Sequence, residues 1–188
     1  MIIVFLLCIA ASLTTPIIAT TVQRFGLTDM AANAERIVVG TCTEAIPQLL
    51  HGQIYTRYLF DVDETIKGPE DSKLQLHLPG GDLQGVFNRL AGMPIFLPGE
   101  QAVLFLTTAN ELGHAWPVGL AQGHFAIVHY DSSSARVFQA LDGLSLYDVS
   151  GAAKKATASN AIQGMPLNSF LTQIRTLTES GTEAQDAP

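Results

Sequence analysis

Tyr55-Thr-Arg-Tyr-Leu-Phe-Asp-Val-Asp-Glu-Thr-Ile-Lys-Gly68 carries the alternation that decides the fold. Tyr58, Phe60, Val62 and Ile66 fall on one side of a two-residue period, and Arg57, Asp61, Asp63 and Thr65 on the other. Successive side chains of a strand point to opposite faces, so this stretch reads as a strand with one covered face and one wet face, closed by Lys67-Gly68-Pro69. Upstream, Ile37-Val-Val-Gly-Thr-Cys-Thr43 is rich in β-branched residues and apolar on both faces, the pattern of a central strand. Downstream, Lys73 to Leu78 sets Leu74, Leu76 and Leu78 inward against Gln75 and His77, and Pro79-Gly80-Gly81-Asp82 predicts a turn. Ala102-Val-Leu-Phe-Leu106 follows Pro98-Gly99-Glu100 as a second buried strand. Gly123-His-Phe-Ala-Ile-Val-His-Tyr130 and Ala135-Arg-Val-Phe-Gln139 flank the turn residues Asp131 to Ser134 as a hairpin. Many short strands separated by turn signals predict a mainly β fold, an OB-like barrel or a small sandwich, and not alternating βαβ units.

Two stretches have helical spacing instead. Leu27, Met30, Ala31 and Ala34 predict a short N-terminal helix with Thr28 as its N-cap. Leu167, Phe170, Leu171, Ile174 and Leu177 share one face after Pro166, which predicts an amphipathic C-terminal helix over 165–178 lying across the sheet or over a barrel end. The Ser- and Ala-containing residues 151–164 read as a connector, and the small, polar, acidic residues 179–188 as a disordered tail. The chain has 188 residues, 47% of them hydrophobic, enough for one core, so residues 20–150 are assigned to a single β-barrel domain.

Residues 1–19 contain no charge and hold the run Ile2-Ile-Val-Phe-Leu-Leu-Cys-Ile-Ala-Ala11, followed by Pro16 and Ala19. This has the shape of a signal peptide cleaved after Ala19, and the run is short for the ~20 residues that span a bilayer. The expectation is export, to the periplasm or the extracellular space, with no stable membrane insertion after cleavage. Cleavage leaves Cys42 as the single cysteine, so no intramolecular disulfide can form, and its apolar strand predicts a buried, inert thiol. The formal charge of −7 comes without any cluster of Lys or Arg, which argues against nucleic acid and anionic membrane surfaces as partners.

Three stretches together resemble the netrin-type OB barrel, the family that includes the tissue inhibitors of metalloproteinases: Ala34-Glu-Arg-Ile-Val-Val-Gly-Thr41, the strand from Tyr55 to Gly68, and Gln101-Ala-Val-Leu-Phe-Leu106. In that family a helix-led strand precedes a strand ending in a Lys-Gly turn, and a later strand follows a Gly-Glu or similar turn. Exported bacterial proteins share this layout. The resemblance covers roughly residues 30 to 130 and implies a barrel. It does not imply protease inhibition, because those inhibitors reach a protease zinc with a mature N-terminal cysteine and carry a disulfide framework. This chain, cleaved after Ala19, would begin at Thr20 and keep one cysteine.

Gly-rich phosphate loops, nucleophile elbows, His-Glu-x-x-His and paired Cys-x-x-Cys patterns are all missing from the sequence, so no catalytic residue, metal ligand or cofactor is assigned. Gly80-Gly81 reads as part of a turn and not as a phosphate site. Among the histidines His51, His77, His114, His124 and His129, the last two are an odd number of residues apart on one strand and face opposite ways. Asp61 and Asp63 share a strand face about 7 Å apart, a spacing that suits a cation, a glycosidase-like pair or a solvated acidic face.

The region from Leu83 to Pro98 reads as a loop mixing Val86, Phe87, Leu90, Met93, Ile95 and Phe96 with Gly85 and Gly92. Val86, Phe87, Leu90, Phe96 and Trp116 are the candidate binding residues: exposed they would form a protein-binding patch, packed inward they would cover the barrel mouth. The leading expectation is a non-catalytic binding module of the bacterial envelope or medium, with a protein or an extracellular polymer as partner. The alternatives are a small metal-assisted hydrolase and a structural envelope subunit that self-associates through a sheet edge or the Leu83 to Pro98 region.

Overall fold

Residues 20–131, 134–141, 144–147, 153–155 and 161–185 are described by a computed structural model. The expected signal peptide lies outside the described residues, as do 151–152 and 156–160 of the connector and 186–188 of the tail. In chain order the elements are β1 Thr20–Gln23, α1 Leu27–Asn33, β2 Arg36–Leu50, β3 Gln53–Lys67, β4 Lys73–Leu83, β5 Val86–Arg89, β6 Gln101–Leu106, a 3₁₀ turn Leu120–Gly123, β7 His124–His129, β8 Ala135–Phe138, β9 Leu144–Tyr147, β10 Ala153–Lys155, β11 Gln163–Pro166 and α2 Leu167–Gln185. The fold is mainly β: an eight-stranded sheet, in the order β11-β8-β7-β6-β2-β3-β4-β5, curls into a half-barrel with α2 packed on it. A second sheet of β1, β9 and β10 pairs β1 parallel to β9.

The apolar run in β2 explains the layering. Ile37 and Val39 face one core with Val103 and Phe105 of β6, Phe125 of β7 and Val137 of β8, and this core is closed by Met30 and Ala31 of α1 and Phe170, Leu171 and Ile174 of α2. Val38 and Cys42 face the other way, into the curl, where they meet Tyr58 and Phe60 of β3, Leu74, Leu76 and Leu78 of β4, and Leu104 of β6. A strand paired on both sides and buried on both faces has to be apolar throughout. Beyond Cys42, β2 runs on with β3 as an arm, backed by β4 as far as the Tyr55–Pro79 pair, whose tip is His51-Gly52, both at positive φ.

Four expectations are corrected. The cap of α1 is Gly26, whose N–H donates to Asp29 Oδ2 at 3.0 Å, because the acidic residue three positions on reaches back to the cap, while Thr28 lies inside the helix. Pro79-Gly80-Gly81-Asp82 is not a turn: β4 continues through it to Leu83, and the chain reverses at Gln84-Gly85, with φ of 54° and 81°. Two positive-φ residues make the tight hairpin whose twist matches the flanking strands. The connector contributes β10 and the start of β11, since β8 offers a free edge that Gln163–Pro166 pairs with. Finally, α2 runs to Gln185, past Thr178, as hydrogen bonds such as Ser180 Oγ to the Thr176 carbonyl continue along it.

Candidate functional site

The site is built where β4 overruns the rest of the sheet. Gly81, at φ 140°, lies so close to β3 that a Cβ there would sit 2.5 Å from Thr56 Oγ1, and that hydroxyl donates to the Gly80 carbonyl at 2.7 Å. Only glycine permits this approach, which locks the extension of β4 onto β3 and carries the β4–β5 hairpin out beyond the core. Between that hairpin, the β2–β3 arm and Trp116 runs a groove of about 840 Å³, lined by Leu49, Tyr55, Val86, Phe87, Leu90 and Trp116 among others. Val86 is 62% and Phe87 65% exposed, with Leu49 and Leu90 also open to solvent.

The five candidate binding residues therefore divide. Val86, Phe87, Leu90 and Trp116 come together on the groove. Phe96 does not, and its assignment as a binding residue is corrected: it is 1% exposed, with its ring edge-on to Tyr58 and Phe60 at 5.1 Å and to His124 at 4.8 Å. It plugs the curl of the sheet, with Met93 buried beside it. Trp116 is half-buried and fixed, since its Nε1–H donates to the His77 carbonyl at 3.2 Å. That bond ties the segment after β6 to the β4 side of the half-barrel.

Sequence reading missed a pair of histidines that contacts Tyr55 and Trp116 of the groove. His114 stacks on His77 with ring centroids 4.5 Å apart and planes 24° from parallel, and Tyr55 leans on His114 at 6.1 Å. Burial, then the neighbouring His114 and Arg57, push the His77 imidazole below its ordinary pKa. His114 Nδ1 is buried and has no hydrogen-bond partner among the described residues. The signal available was the outward phase of His77 on β4, but its partner sits 37 positions away in a loop, beyond the reach of periodicity.

The remaining titratable groups serve the scaffold. Asp61 pairs with Lys73, and Asp63 accepts from Thr41 Oγ1 at 3.2 Å and Gln101 Nε2 at 2.8 Å, so the two carboxylates are engaged separately. His124 Nε2 lies 3.3 Å from Glu100 Oε1. Burial opposes the Glu100 charge, yet the His124 side chain and the Leu97 N–H outweigh it and hold the carboxyl below its ordinary pKa. The Cys42 thiol is buried and pushed up to about 11 by desolvation and by Glu100, which makes it a poor nucleophile at neutral pH. His124 is buried and His129 exposed, on opposite faces of β7. Among the described residues no three His, Cys, Asp or Glu side chains gather to hold a metal ion, and no helix is long and apolar enough to cross a membrane. No protein-family model matches the chain, and no curated protein matches it.

Proposed function

We propose that this chain is a non-catalytic binding module on a netrin-like, OB-like scaffold, exported to the bacterial envelope or medium, that holds an extended apolar segment of another protein. The observation that carries the reading is the groove itself: Leu49, Val86, Phe87 and Leu90 leave apolar surface exposed around one concavity whose wall, Trp116, is fixed by a hydrogen bond. Contiguous exposed apolar surface in a depression is what a protein partner covers. The edge of β5 beside it, unpaired among the described residues, adds main-chain donors and acceptors, the chemistry of strand addition. The signal-like residues 1–19 support export, and the use of Asp61, Asp63, Glu100 and Cys42 in scaffold contacts supports binding over catalysis.

Affinity capture of the tagged mature chain from its native envelope and medium tests this. The expected result is a protein that co-purifies with the wild type and is lost with Phe87→Asp, while the variant's circular dichroism and melting are unchanged. Capture of a polysaccharide in its place, or identical capture by both forms, overturns the reading.

A further inference from the structure

The outer edge of β5 is the end of its sheet among the described residues. Its pairing with β4 joins Leu83 to Val86, Asp82 to Phe87, Gly81 to Asn88 and Gly80 to Arg89 around the tight turn at Gln84-Gly85. In such a hairpin the closing pair and every second pair after it exchange main-chain hydrogen bonds, so Val86 and Asn88 bond inward and the N–H and C=O of Phe87 and Arg89 point outward. Among the described residues β5 pairs with nothing but β4, and it carries neither Pro nor Lys to blunt its edge.

We propose that this edge pairs antiparallel with β5 of a second copy of the chain, about a two-fold axis through Asn88. The inference rests on reading this surface as protein-binding and names the partner. In that register Phe87 stands opposite Arg89 of the second copy, and the outward groups of both residues are used twice, giving about four main-chain hydrogen bonds. Val86 stands opposite Leu90 on one face, apolar against apolar and both exposed in the single chain. On the other face each Phe87 ring receives a guanidinium, a cation–π pair repeated by symmetry.

Charge fits as well. Arg89 lies opposite Gly80, which has no side chain, and among the described residues it has no ion-pair partner in its own chain. Asp82 lies opposite Phe87 and accepts only the Gly85 N–H of its own turn, at 3.2 Å. The two-fold brings Arg89 of one copy across Phe87 toward Asp82 of the other, so two unpaired charges of opposite sign meet twice. An isologous contact needs this: every residue must suit the residue the axis places opposite it.

The test is the oligomeric state of the mature chain by sedimentation over roughly 1 to 300 µM, the range for a contact of this small size. Wild type should pass from monomer to dimer. Asn88 meets its own copy, so Asn88→Lys and Asn88→Asp should each weaken association at least about fivefold through like charges, while an equimolar mixture of the two should recover it. Asn88→Cys should form an intermolecular disulfide under mild oxidation, because a non-hydrogen-bonded antiparallel pair brings Cα atoms to about 4.5 Å, within disulfide range. Dimerisation that ignores Asn88→Lys, or a mixture no better than its components, overturns the register. A wild type that stays monomeric throughout overturns the inference. In that case, a partner still captured through Phe87 leaves the binding-module reading standing, and capture that ignores Phe87→Asp removes both.

Discussion

The two ends of the curled sheet carry similar strands and meet opposite fates. At the β6–β7–β8 end, Phe105, Phe125 and Val137 are fully buried because α1 and α2 lie over them, with Phe125 and Phe170 in ring contact at 4.7 Å. At the β5 end, Val86 and Phe87 stand side by side ahead of Asn88 and Arg89, and all four residues of the strand are exposed. An apolar residue in a strand records a surface that wants cover, and whether cover arrives is settled by another part of the chain. The covered end holds the fold together, and the uncovered end leaves Val86 and Phe87 to solvent.

The sharpest way to break this contrast is a pair of truncations. Phe125→Ala should cost about 3–5 kcal/mol in denaturant unfolding, since it empties a site packed between the sheet and α2. Phe87→Ala should stay within about 0.5 kcal/mol. Comparable losses would mean that β5 is covered in solution by its own chain. Gly81→Ala comes next: the added methyl meets Thr56 Oγ1 at 2.5 Å in a backbone conformation hostile to side chains, and should cost about 1–3 kcal/mol. Its second effect, a loosened β4–β5 hairpin, should show as faster amide exchange at Val86 to Arg89, and unchanged exchange would detach the hairpin's position from the glycine pair.

Smaller effects come from two ionisable groups. Glu100 has a lowered folded pKa, so its share of stability is present above the ordinary carboxylate range and is lost as pH falls through the folded value. Melting temperature should therefore drop on acidification, with a shallower drop in Glu100→Gln. A slope equal to wild type would mean that the pair with His124 contributes nothing. His77 is also lowered, which favours its neutral form in the folded chain. Its contribution is complete above about pH 6.5 and declines as pH falls toward the lowered value, because the unfolded imidazole takes up its proton first. His77→Gln should flatten the melting curve between pH 7 and 5, with the change confined to the groove end in amide exchange.

The alternation of Tyr58, Phe60, Leu74, Leu76 and Leu78, and the two-sided apolar run Ile37 to Val39, were legible because side-chain phase is a local property of extended backbone. So was the face of α2, where Phe170, Leu171 and Ile174 repeat at helical spacing. The hairpin tip at Gln84-Gly85 was hidden behind a stronger breaker signal, Pro79-Gly80-Gly81-Asp82, which close packing on Thr56 pulls into a strand. The stacked imidazoles were out of reach, because a loop 37 residues on supplies the second ring.

By itself, then, the sequence determined which residues are apolar, in what phase, and that a central strand buried on both faces must organise a mainly β fold. Only the tertiary structure decided that Phe96 belongs to the core and Phe87, nine positions earlier, to the surface. The cause is physical: Phe96 finds Tyr58, Phe60 and His124 waiting inside the curl, brought there by strands distant along the chain, whereas β5 is the last strand of its sheet and no further element covers it among the described residues.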